Sequence, residues 1–156
     1  MDFLPLILII IVVYLFWIRP KIKTNKLKEL QNNLLKYGIK GMSYRNFNHK
    51  LHSGSFFGYI CNEPENSQDK KAIAIYNNNG LHLGYIPAWK TEELKSLLGE
   101  QLNISVKIFG TVSYDRNTKN WSGIVFVPNG IDINQQTKLY QQFIQNPTSF
   151  DYIEWA

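Results

Sequence analysis

The sequence predicts a mainly β fold, a small curled β-barrel with one or two short helices, and three observations predict it. Ala72 to Tyr76 alternates apolar residues, Asn77-Asn78-Asn79-Gly80 supplies residues that tolerate positive φ, and Leu81, Leu83 and Tyr85 recur at period two. That is a hairpin, ended by Pro87, which has no N–H to give to a ladder. Further short alternating runs occupy 39–45, 55–62, 102–114 and 121–127, with polar turns such as Asp115 to Asn120 between them. Finally, all of this follows an uncharged apolar run at the extreme N-terminus, so the chain divides into an apolar leader and one small β domain.

That run, Phe3 to Ile18, ends in Trp17-Ile18-Arg19-Pro20. As a helix it reaches about 24 Å, somewhat short of the roughly 30 Å hydrocarbon core of a bilayer. Tyr14 and Trp17 at the interface, with Arg19 snorkelling, make up the difference. Pro5 falls in the first turn, where its missing N–H costs little. A cleaved signal peptide would need a basic start and a small-residue cleavage site, whereas this chain starts Met-Asp. A core helix this apolar on every face suits a larger domain. Residues 1–19 are therefore expected to be a transmembrane anchor in contact with the lipid bilayer through residues 3–18.

Residues 20–38 form a basic linker in which Leu27, Leu30, Leu34 and Leu35 fall at helical spacing. This predicts an amphipathic juxtamembrane helix over about 22–37, stopped at Gly38. Between 19 and 40 the bases Arg19, Lys21, Lys23, Lys26, Lys28, Lys36 and Lys40 face one acid, Glu29. The positive-inside rule then puts the N-terminus outside the cell membrane and the globular part in the cytoplasm. A single cysteine, Cys61, permits no intrachain disulfide and agrees with a reducing compartment.

The barrel is expected over 39–130. Thr91 is placed to cap a helix running to about Leu98, which Gly99 ends. Residues 131–156 read as a C-terminal helix containing Leu139, Phe143 and Ile144, stopped by Pro147, and an aromatic tail with Phe150, Tyr152 and Trp155. The tail either packs on the domain or meets a protein partner.

The net charge of +5 belongs to the linker, because residues 41–156 hold ten basic and ten acidic residues. A neutral domain excludes bulk phosphate neutralisation as its main binding mode. The linker's bases attract anionic lipid head groups.

Chemistry is sparse. His49 and His52 stand three apart without a Cys or acidic partner at ligand spacing, so no metal site is expected. There is no phosphate loop, no Walker pattern and no nucleophile elbow, and hence no cofactor and no enzyme activity. Glu63, Glu65 and Asp69 cluster in a turn-rich stretch that a solvated loop explains.

The stretch from Glu63 to Pro87 nevertheless resembles the HIRAN domain family. Glu63-Pro64, Asn66, Asp69, Ala72-Ile73, Gly80 and Gly84-Tyr85-Ile86-Pro87 fall at the family's spacings. Gly41-Met42-Ser43-Tyr44-Arg45 is similar to its upstream element, and Leu94, Leu97 and Leu98 to its leucine-rich helix. The resemblance covers roughly 39–128 and implies a small barrel of OB-like shape. It also implies binding of single-stranded DNA and capture of its 3′ end.

Carried onto this sequence, the resemblance makes Tyr44 the base-stacking ring, on the first strand, and Asp69 the acceptor for the 3′-hydroxyl. Arg45, Asn66 and Tyr85 become supporting groups, and Phe126 a second stacking surface. The family's loop aromatic is Gln68 here, and its Asn before Ala-Ile is Lys71. Read from the residues alone, Asn66 and Asp69 equally suit an Asx-type turn, and Tyr44 and Tyr85 a barrel core. Two expectations follow: a membrane-tethered nucleic-acid-binding module, or a membrane-anchored adapter that engages a protein through the barrel or the tail 148–156.

Overall fold

The computed structural model describes residues 4–18, 28–48 and 52–156. Six antiparallel strands form one curled sheet in the order β1-β6-β5-β2-β3-β4. They are β1 (Leu34–Gly38), β2 (Gly54–Asn62), β3 (Ile73–Asn77), β4 (His82–Tyr85), β5 (Val106–Asp115) and β6 (Asn120–Pro128). The hairpin predicted at Asn77 to Gly80 is present. The Asn77 side chain accepts from the amides of Asn79 and Leu81, and the Gly80 amide closes the turn on the Asn77 carbonyl.

The sheet curls until its two edges meet. Just past β1, Lys40 donates its amide to the Tyr85 carbonyl at 2.9 Å and accepts from the Tyr85 amide at 2.9 Å. This contact requires Gly84, whose φ is +151° and where a Cβ would lie 2.3 Å from the Lys40 carbonyl oxygen. The predicted barrel is thus a curled sheet joined at its rim by one reciprocal pair.

Two cores sit on its two faces. Inside the curl, Tyr37, Ile60, Ile73, Ile75, Ile108 and Val125 pack against Leu94 and Leu98 of α2 (Thr91–Leu98) and Leu102 of α3 (Gln101–Ile104). On the outer face, Leu34, Phe109 and Phe126 pack against Leu139 and Phe143 of α4 (Ile133–Gln145). Asp132 and Gln135 form a reciprocal capping box at the start of α4.

The aromatic tail completes the outer core. Phe150 is buried there, the Tyr152 hydroxyl donates to Gln31, and the Ala156 amide donates to the Lys36 carbonyl at 3.0 Å. Trp155 lies against β1, with the Lys36 ammonium 4.7 Å from its ring centre. Packing, the first of the two expectations for the tail, is the arrangement found.

Four expectations need correction. The helix predicted over 22–37 is helical only at 28–31 among its described residues, and 34–37 is strand. Leu34 points to the outer core while Leu35 and Tyr37 point to the inner one. A strand covered on both faces reads as a continuous apolar run, which periodicity cannot separate from a helix. The strand predicted at 39–45 instead breaks at Gly41 into a 3-10 turn, Met42–Tyr44. The strand predicted from 102 begins at 106, because Leu102 is buried on a short helix and Ile104 is 85% exposed. Thr91 is the first residue of α2 and does not cap it, its hydroxyl donating to the Ala88 carbonyl at 2.9 Å.

At the N-terminus α1 (Leu4–Val13) continues as a π-helical turn, Tyr14–Ile18. Among the described residues no helix is long and apolar enough to cross a membrane. The bases Arg19, Lys21, Lys23 and Lys26, and His49, lie outside the described residues.

Candidate nucleic-acid interface

Where the sheet's edges meet, three segments converge: the turn after Lys40, the loop after β2, and the end of β4. Gly41 has φ +76° and faces the Tyr85 ring, where a Cβ would be 3.5 Å away. The reversal it allows starts the 3-10 turn. Met42 is buried and anchors this turn, which leaves Tyr44 88% exposed and Arg45 half-buried. An open cleft of about 470 Å³ results, lined by Gly41, Tyr44, Arg45, Tyr85 and the loop residues Glu63 and Glu65 to Gln68.

Asn66 organises the loop. Its Oδ1 accepts from the amides of Gln68 at 2.9 Å and Asp69 at 3.1 Å, an Asx-type turn. Its Nδ2 donates to Glu63 Oε2 at 2.8 Å and to the Tyr85 hydroxyl at 3.0 Å. The Tyr76 hydroxyl donates to Glu63 Oε1 at 3.4 Å. On the opposite wall the Arg45 guanidinium lies over the Tyr85 ring at 5.4 Å, with Nη2 3.4 Å from His82 Nε2. Arg45 Nε is buried and makes no hydrogen bond.

The electrostatics follow from these contacts. Burial pushes the Glu63 carboxyl up, but hydrogen bonds from Asn66 and Tyr85, the nearby His82 and the Tyr76 hydroxyl outweigh it and hold the pKa below the usual carboxylate value. Burial and then the Arg45 guanidinium push the His82 imidazole down, opposed by the Gly84 carbonyl and Glu63. Burial, followed by Glu63, raises the Tyr85 phenol. At neutral pH the cleft therefore holds an ionised carboxylate and a guanidinium, both in contact with the Tyr85 side chain, together with the solvent-exposed Tyr44 ring.

Of the residues predicted for the site, Tyr44, Arg45, Asn66 and Tyr85 come together in the cleft. Tyr44 stands on the 3-10 turn and not on the first strand. Asp69 closes the loop at its far end, where its Oδ1 accepts from the Lys71 amide at 2.8 Å and its carbonyl from the Ala72 amide at 3.0 Å. Phe126 is fully buried in the outer core, 5.4 Å from both Phe109 and Phe143 between ring centres, and presents no surface for stacking.

Glu63, which was not among the residues expected at the site, also lines the cleft, directly after β2. Among the described residues no group of His, Cys, Asp and Glu could hold a metal ion. Burial, and then Glu63, push the Cys61 thiol up, away from the thiolate form.

A profile described as HIRAN domain matches residues 33–128, from the start of β1 to the end of β6. The crystal structure of the HIRAN domain of human HLTF is similar, at 18% identity and a TM-score of 0.43, over 72% of this chain and 88% of that one. So is a crystal structure of a protein from Lactobacillus plantarum, at 16% identity and a TM-score of 0.43, over 62% of this chain and 96% of that one. No curated protein matches the chain.

The depressed Glu63 pKa predicts a pH-dependent contribution to stability. A carboxyl whose folded pKa is lowered contributes above its unfolded value and loses that contribution as pH falls through the folded one. The urea midpoint of the native protein should therefore exceed that of Glu63→Gln above about pH 4.5. The gap should narrow as the pH falls below that value and Glu63 takes up its proton. A gap that stays constant across this range would contradict the ionised, hydrogen-bonded carboxylate.

Proposed function

The chain belongs to the HIRAN domain family, and we propose that it is a non-catalytic, membrane-tethered module that binds single-stranded DNA at its 3′ end. The observation that carries this reading is the cleft itself, where a solvent-exposed Tyr44 ring stands beside Tyr85, Arg45 and an acidic loop. Stacking a base on such a ring contributes on the order of 1–3 kcal/mol without sequence preference. The acids set which end is taken. Glu63 and Glu65 repel a terminal phosphate, whereas a terminal hydroxyl can donate to a carboxylate. Arg45, which lines the cleft, is the donor for the last phosphodiester.

The hydroxyl acceptor is a loop carboxylate. Asp69 is the residue the family resemblance points to, and Glu63 is the one that lines the cleft. Asn66 ties the two together, so the loop acts as one unit. The neutral domain makes a weak salt dependence part of this reading, since few phosphates are neutralised.

The tether rests on the apolar run from Phe3 to Ile18, described as α1 and the π-helical turn from Leu4 onward, and on the excess of basic residues after it. Those bases set the N-terminus outside and the domain in the cytoplasm. Lipid contact holds the domain at the membrane surface; the cleft does the binding.

Fluorescence anisotropy with the full chain in mild detergent tests the binding. Labelled single-stranded DNA ending in 3′-hydroxyl should bind more tightly than the same strand ending in 3′-phosphate. Tyr44→Ala should weaken binding about 5- to 150-fold, and either Asp69→Ala or Glu63→Gln should abolish the preference for the hydroxyl. Equal affinity for both ends, lost together at moderate salt, would leave only the basic linker as the binding element. For the tether, the intact chain should stay with membranes through an alkaline carbonate wash, and deletion of residues 1–18 should release it. Release of the intact chain would refute anchoring.

A further inference from the structure

We propose that residues Glu154 to Ala156 are a strap that closes the seam between β1 and β4 and thereby holds the cleft in its binding form. This rests on the single-strand reading above and adds a control over the same site. On β1, backbone groups two residues apart turn to the same side. Asn33 and Ile39 bond towards β6, so Lys36 and Lys40 face away from it. Both are bonded there: Lys40 to Tyr85, and the Lys36 carbonyl to the Ala156 amide at 3.0 Å. Lys36 and Trp155 form a parallel bridge. The tail and the end of β4 thus share one edge of β1, and the tail continues the seam that Lys40 and Tyr85 begin.

Side chains hold the tail in that place. The Trp155 indole reaches from the Lys36 ammonium, 4.7 Å from its ring centre, to Gly38, where a Cβ would be 3.8 Å from the ring. Lys36 is 7% exposed and has no ion pair among the described residues, so the ring is what faces its charge. The Ala156 methyl packs against the inner core. Phe150 and Ile153 are buried in the outer core and deliver the strap to β1 from a fixed support. All of it lies beyond residues 33–128, the part that the family profile matches.

The rim alone is a thin closure. Each backbone hydrogen bond shifts an opening equilibrium by only about 2- to 12-fold. A second attachment on the same edge takes away the freedom of β1 to part from β4. A ligand that needs Tyr44, Tyr85 and the Glu63 loop together binds only the closed form, so its apparent affinity follows the closed fraction.

Hydrogen exchange and DNA binding by the full chain in mild detergent test the strap. Ala156→Pro removes the amide that donates to Lys36, whereas Ala156→Gly keeps it. In Ala156→Pro the Lys40 and Tyr85 amides should exchange about 2- to 12-fold faster, with Ile60 and Ile75 unchanged. Ala156→Gly should stay near native. Deletion of residues 154–156, which also removes the indole, should go further and weaken binding of 3′-hydroxyl single-stranded DNA by at least about 2-fold. Native exchange at Lys40 and Tyr85 in the deletion variant would refute the strap, and so would faster exchange at all four amides, the mark of general destabilisation. Faster exchange at the rim with native affinity would refute its control of the cleft. If the native protein binds no single-stranded DNA, the reading of the cleft fails and that control fails with it, while exchange still shows whether the strap holds the rim.

Discussion

Two backbone hydrogen bonds between Lys40 and Tyr85 join the two edges of the sheet where the candidate cleft lies. Without them β1 and β4 are the two free edges of a six-stranded sheet, and the turn bearing Tyr44 is held only by Met42 in the inner core and by Arg45 against Tyr85 and His82. With them, the chain on one side leads through Gly41 into the exposed ring, and on the other through Tyr85 into Pro87 and the Trp89 turn. Closing the rim costs conformational freedom, and Gly84 is what makes it sterically feasible. Any side chain there would drive its Cβ into the Lys40 carbonyl.

The closure can stay thin because packing elsewhere carries the stability. The inner core fills the curl with branched aliphatic residues, and the outer core covers β1, β6 and β5 with a cluster of phenylalanines. β1 takes part in both, and the tail is hydrogen-bonded to its free edge through Ala156. A strand held from three sides is a firm base for the residues that follow it. The cleft, by contrast, has polar walls and an exposed ring, which the packing of the two cores does not require.

The sequence made the hairpin of β3 and β4 plain, because period-two alternation and a run of Asn and Gly agree on one structure. It hid β1, since apolar residues on both faces erase the alternation. It also hid the start of β5, where Ile104 fits a strand pattern yet faces solvent. At the site, the family pattern located the loop and the turn but not the roles within them. Asn66 and Asp69 spend hydrogen bonds on shaping the loop, Glu63 supplies the carboxylate in the cleft, and Phe126 belongs to the core. These differences depend on which face of the chain each side chain takes. Spacing alone does not encode that once a strand gives way to a turn, as it does at Gly41.

Amide hydrogen exchange reads the closed rim and the occupancy of the cleft at once. The Lys40 and Tyr85 amides should exchange in the free protein as slowly as those of Ile60 and Ile75 in the inner strands. They should slow further when single-stranded DNA with a 3′-hydroxyl is added. Exchange at the rate of an open loop, unchanged by the oligonucleotide, would contradict both the closed rim and the cleft built on it.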